Sequence, residues 1–154
     1  MKNLILKLVI PLTIISFVIF TKWWYALPTD APDTMLYGFP FAYTCQGWHT
    51  SMSLQIFILE FLADFTVYFL FWIVLIFLIH KFLFKLKPNK FLTIFLWIIC
   101  GFIIVFESLI LGNKDNVFAL KKPFEIKVFE TGYQFIWERE KRPDYYKYFP
   151  EEKK

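Results

Sequence analysis

Three long apolar runs set the pattern of this chain. Residues 4–25 are interrupted only by Lys7, Pro11, a few hydroxyls and, near the far end, Lys22. Residues 54–79 carry Glu60 and Asp64 early and no charge from residue 65 onward, and residues 91–111 carry the single charge Glu107. Runs of ~17–25 apolar residues are long enough for a helix to cross a hydrocarbon core ~30 Å thick. Over residues 65–79 aromatic and β-branched side chains would fall on every face of a helix, which suits a helix surrounded by lipid or protein and not a surface helix. The pattern predicts an all-α membrane fold of three transmembrane helices.

The joints are polar or turn-forming. Residues 80–90 end in Pro88-Asn89, a break before the next helix. Residues 26–53 contain Pro28, Asp30, Pro32 and Asp33, then the dense aromatic stretch Tyr37, Phe39, Phe41, Tyr43 and Trp48, interrupted by Gly38 and Pro40. That mixture suits neither a helix nor a regular strand. Ser51 or Ser53 is placed to cap the second helix. After residue 112 the period changes. Residues 124–130 and 133–138 approach strict alternation around Thr131-Gly132, which predicts a β-hairpin over 124–138 with Val128 opposite Phe135 and Ile126 opposite Trp137. A lone hairpin is marginal in water. It is therefore expected to pack on the 26–53 loop, the membrane surface or a partner, forming a small extracytoplasmic cap. The linear division is a membrane region, 1–111, and a tail, 112–154.

Composition reinforces the membrane expectation. The 154 residues are 58% apolar, above the 45–50% usual for globular chains. Mean hydropathy is +0.50. A net charge of +4 invites a nucleic-acid partner, but the lysines form no basic cluster and sit at the ends of apolar runs, so none is expected. Lys2 and Lys7 mark the start of the first run, and Lys81, Lys85, Lys87 and Lys90 separate the second from the third, whereas residues 26–53 hold Asp30 and Asp33 and no Lys or Arg. The positive-inside rule then places the N-terminus and residues 80–90 in the cytoplasm and the C-terminus outside, in a bacterial inner membrane. A cleaved leader is the rival for the first run. It calls for a small-residue cleavage site, and Thr21-Lys22-Trp23-Trp24-Tyr25 is instead an aromatic belt typical of a membrane interface.

Candidate chemistry is sparse. Counted at ~1.5 Å per residue, Asp64 lies about 24 Å from His80 and Glu107 about 24 Å from Phe91, so the two belong at similar depth near the outer edge of the core. Glu60 is one turn above Asp64 on the same face. The expectation is an outer-leaflet carboxylate cluster of Glu60, Asp64 and Glu107 neutralised by Lys22. Carboxylates at such depth cost several kcal/mol unless paired, hydrated or protonated, and they mark ion or proton paths. No matching charge occupies the inner half of any run, which argues against a self-sufficient transporter. Tyr37, Phe39, Phe41, Trp48, Phe135 and Trp137 form a candidate interaction surface, with rings as rigid anchors. Gly101 and Ser108, two turns apart, suit close helix packing.

Cys45 and Cys100 form no CxxC, neither they nor His49 and His80 have metal-ligand spacing, and no Walker, GxGxxG, HExxH or GxSxG motif occurs. No catalytic residue, metal or cofactor is expected. The expected partners are the lipid bilayer and another membrane or periplasmic protein. The leading expectation is a non-catalytic accessory or interaction subunit. The alternatives are an ion- or proton-linked channel or transporter component using the outer carboxylates, and an immunity-type protein acting at the membrane.

Overall fold

A computed structural model of the chain describes residues 2–29, 31–48, 50, 52–138 and 142–150. Asp30, His49 and Ser51 lie outside the described residues. The three apolar helices are present: α1 (Lys2–Ile19), α2 (Ile58–Leu83) and α3 (Lys90–Leu111), each long and apolar enough to cross a membrane. The all-α expectation is nevertheless overturned. The chain is 49% helical and 23% strand, with a six-stranded mixed sheet alongside the three helices. The strands are β1 (Phe20–Pro28), β2 (Thr34–Tyr37), β3 (Thr44–Gln46), β4 (Leu54–Phe57), β5 (Val117–Ala119) and β6 (Ile126–Phe135), in the order β5-β4-β3-β2-β1-β6.

Two ends of the apolar runs were misassigned by hydropathy alone. Residues 20–25 continue the first run in composition, with Thr21 and Lys22 followed by three aromatic residues, and they form β1. Residues 54–57 open the second run but form β4. Both segments are rich in residues that fit a pleated, half-buried surface. Apolarity does not distinguish lipid from a sheet core; only the period does.

The predicted hairpin is also corrected. Residues 126–135 form one uninterrupted strand, antiparallel to β1, with Phe20 opposite Phe135, Lys22 opposite Tyr133 and Trp23 opposite Gly132, and a register shift between Tyr25 and Ala26. Thr131-Gly132 is no turn. A Cβ on Gly132 would lie 2.5 Å from Cζ2 of Trp23, so the glycine makes room for an indole. Nine cross-strand pairs with β1 outweigh the few that a short hairpin offers. Ser53 caps no helix. Its hydroxyl donates to the Thr50 carbonyl, and α2 starts later, at Ile58.

The chain divides into two compact units, each discontinuous in sequence: residues 1–19 with 65–113, and residues 20–64 with 114–154. The boundary crosses α2 between Asp64 and Phe65.

In the helical unit, Leu4, Leu8, Val9, Ile76 and Leu96 form the core. Pro11 shapes α1. It lacks an N–H, and residues 5–9 widen into a π-turn in which the Ile10 N–H reaches the Ile5 carbonyl. The Leu6 carbonyl is left to find another donor, and the Trp97 indole N–H supplies it at 3.2 Å. The Cys100 thiol contacts the Pro11 carbonyl, and the Trp72 indole donates to Ser16 Oγ at 2.8 Å. Phe17 packs edge-on against Phe65 and Tyr68. Asn89 caps α3 through Phe91 N–H, at the break that Pro88-Asn89 predicted. Gly101 meets nothing within 4 Å of a modest side chain, so it makes no close helix approach within the described residues.

In the sheet unit, β1 to β4 run as consecutive antiparallel neighbours, and β5 joins β4 in parallel. Parallel neighbours need a long crossover, and here the connection contains both α2 and α3. Ala26, Leu36, Ala42, Cys45 and Phe57 form the core, with Trp24 and Phe124 packed on it. Gly38, with φ +145°, begins the loop that closes over this face; a Cβ there would lie 2.0 Å from the Phe41 carbonyl oxygen.

Candidate functional site

The sheet unit gathers most of the residues that the sequence singles out. Register brings the first group together. Phe20 and Lys22 alternate on one face of β1, and their cross-strand partners Phe135 and Tyr133 share that face. Phe20 stacks on Tyr133 at 5.5 Å and 11°, and contacts Phe135 at 5.5 Å. Phe39, from the loop after Gly38, leans on both Phe20 and Tyr133. Trp137 stacks on Phe135 at 4.8 Å with nearly parallel rings. The Lys22 ammonium lies 3.6 Å from the centre of the Trp24 ring and 6.0 Å from that of Tyr133. The patch is open: Tyr133 is 58% and Trp137 68% exposed.

Of the six aromatic residues proposed from sequence, Phe39, Phe135 and Trp137 therefore share one surface. Phe41 adjoins it in sequence and is about half exposed. Tyr37 lies on β2 between Trp23 and Thr44. Trp48 is elsewhere, its ring 5.0 Å from Phe124, lining a cleft of about 540 Å³ with Asp33, Thr34 and Arg142. Phe20 and Tyr133 were missed because one was counted into a span and the other into a hairpin strand paired with residues 124–130 and not with β1. The aromatic density of residues 20–25, which suits a pleated strand, was the available signal.

The carboxylates form a second feature. The opening turns of α2 belong to the sheet unit and are tied to it on two sides. The Leu59 N–H donates to the Leu120 carbonyl at 3.0 Å, and the Lys122 N–H to Glu60 Oε1 at 3.2 Å. Asp64, fully buried, accepts the Phe41 N–H at 2.8 Å and has a weaker contact with that of Phe39. Among the described residues, Glu60 Oε2 and Asp64 Oδ2 are buried without a hydrogen-bond partner. Asp64 thus latches the aromatic loop to the start of α2. Lys22 engages rings, and neither recorded ion pair among the described residues includes it. Glu107 belongs to the helical unit, on α3.

Cys45 is not in a loop but on β3, buried at 1% exposure. Burial pushes its thiol up to about 12, with Lys122 pulling the other way. Burial also lowers the Lys122 ammonium, opposed by Glu60 and Cys45. At the far end of β1, Arg142 pairs with Asp33 at 2.6 Å, and the Tyr25 hydroxyl donates to the same carboxylate at 2.7 Å. Burial alone would raise Asp33; the hydrogen bonds from Arg142 and Tyr25 outweigh it and hold the carboxyl below its ordinary value. No group of three His, Cys, Asp or Glu side chains among the described residues could hold a metal ion.

No protein-family model, curated protein or solved structure matches this chain.

Proposed function

We propose that the chain is a three-span integral membrane protein of a bacterial inner membrane, serving as a non-catalytic accessory or interaction subunit that presents its sheet unit on the extracytoplasmic side. One observation carries this. The helix α3 bares large apolar side chains along its whole length, including Phe91 at 82%, Phe102 at 75% and Leu109 at 73% exposure. In water, so large an apolar patch drives association. In a bilayer it is the face that meets lipid or a partner helix. The open space at Gly101 favours close approach by such a helix.

Helix lengths fit the same picture. At ~1.5 Å per residue, α1 spans about 27 Å and α3 about 33 Å, while residues 65–83 of α2, beyond the part held by the sheet unit, span about 28 Å. Three crossings put residues 20–57 and 112–138 on one side. Lys2, Lys81, Lys85, Lys87 and Lys90 fall on the other, which the positive-inside rule makes cytoplasmic. Extraction in mild detergent tests the subunit role. A membrane partner co-eluting at fixed stoichiometry is expected, and a chain recovered alone and monodisperse would refute it.

A second reading, an ion- or proton-linked component, is favoured by Asp64, buried with Oδ2 unpartnered among the described residues. Asp64→Asn and Glu107→Gln measured for ion flux in liposomes discriminate. Unchanged flux, or none from the parent protein, eliminates this reading.

A further inference from the structure

We infer that the Phe20 end of the sheet is a lipid-contacting surface, with Tyr133, Phe135 and Trp137 seated in the phospholipid headgroup layer and Lys22 facing lipid phosphate. The inference rests on the membrane reading of the helices and goes beyond it, because it assigns part of the sheet unit to the bilayer.

Three observations carry it. The first is covalent. Phe20 follows Ile19, the last residue of an apolar candidate span, directly in the chain. A side chain one residue from the end of a span lies at the interface, and Tyr133, Phe135 and Phe39 touch that side chain.

The second is chemical. Rings with an apolar body and a polar edge are enriched where hydrocarbon meets headgroups, as are lysines whose stems cover apolar surface. Tyr133 and Trp137 supply the rings, and Lys22 holds its ammonium between Trp24 and Tyr133. The carboxylate beside the patch, Glu138, spends an oxygen on the Phe135 N–H at 2.6 Å. Exposed rings at this end are costly in water and favourable in the headgroup layer.

The third is the gradient along the sheet. At the Phe20 end β1 and β6 display rings. Toward Pro28 the rings of Tyr25, Phe129 and Tyr148 are accompanied by the Arg142–Asp33 and Lys147–Glu130 ion pairs, whereas among the described residues no ion pair lies at the Phe20 end. Ala26, opposite Thr34 near that ionic end, is six residues from Phe20, about 20 Å at strand rise.

The test uses the full chain, labelled with fluorotryptophan, in nanodiscs of phosphatidylcholine and phosphatidylglycerol. Fluorine resonances are assigned by Trp137→Phe, Trp48→Phe and Trp97→Phe. Gadolinium attached to lipid headgroups is expected to broaden Trp137 strongly and to leave Trp48 sharp, while a soluble gadolinium chelate does the reverse. Trp97, on α3, reports separately on helix insertion through a spin label in the acyl chains. If Trp97 is broadened by that label but Trp137 responds only to the soluble chelate, the lipid-contacting surface is overturned and the membrane reading stands. If Trp97 is untouched, both fall.

Discussion

A methyl group on residue 132 would collide with the indole of Trp23, which makes Gly132→Ala the sharpest single test of the β1–β6 register. Overpacking of this kind costs about 1–3 kcal/mol. The loss should shrink when Trp23 is also truncated, a coupling that chemical denaturation of the four variants would read as non-additivity. A turn at Thr131-Gly132 would instead leave whatever loss the alanine causes uncoupled to Trp23. Cys45 makes a second test at this scale. Folded, its thiol keeps its proton to about 12, whereas an unfolded thiol ionises near ~8.5. Ionisation therefore favours the unfolded chain. The stabilising contribution is complete below the unfolded value and declines as pH rises from there toward the folded one. Denaturation midpoints measured across that window should fall for the parent protein and stay flatter for Cys45→Ala. The sequence disclosed the break at Pro88-Asn89 and placed Glu60 and Asp64 one turn apart, because those follow from local chemistry and from spacing along one helix. It did not disclose the Asp64 to Phe41 latch or the burial of Cys45. Those depend on strands brought together across long stretches of chain.

Among the elements, helix α1 shows how a proline is accommodated without breaking a span. The π-turn spares the clash, and the carbonyl of Leu6 is satisfied from α3 by Trp97. Trp97→Phe removes that donor while keeping an aromatic ring. Interhelical hydrogen bonds of this type contribute roughly 1 kcal/mol. A lowered thermal midpoint in detergent is expected, and little change is expected when Pro11→Ala is made in the same chain, because position 11 then regains an N–H. The three helices were legible from hydropathy to within a few residues. Strands β1 and β4 were not, since they carry the same apolar composition as the helices they adjoin. Strand β6 was legible as alternation but was assigned the wrong neighbour. Alternation specifies a pleated strand and which of its faces is apolar; it does not specify what the strand pairs with.

For the whole molecule, the proposed orientation makes distinct predictions at exposed positions. Met52, 85% exposed in the sheet unit, and Lys85, exposed beyond α2, belong on opposite sides. In intact cells, Met52→Cys should react with an impermeant maleimide and Lys85→Cys should react only after lysis. The native thiols Cys45 and Cys100 are buried and should contribute little background. Equal labelling of both variants would dismiss the orientation.

Strands β1 to β4 precede the last two helices in the chain, and β5 and β6 follow them. A ribosome therefore releases four strands well before either border strand exists, and β1 waits for more than ninety further residues before Ile126–Phe135 can pair with it. Closing so distant a contact is slow. Until synthesis passes the third helix, the first four strands stand with both margins unpaired. The sheet is completed last, so an intact border strand certifies that the helices before it have already been made.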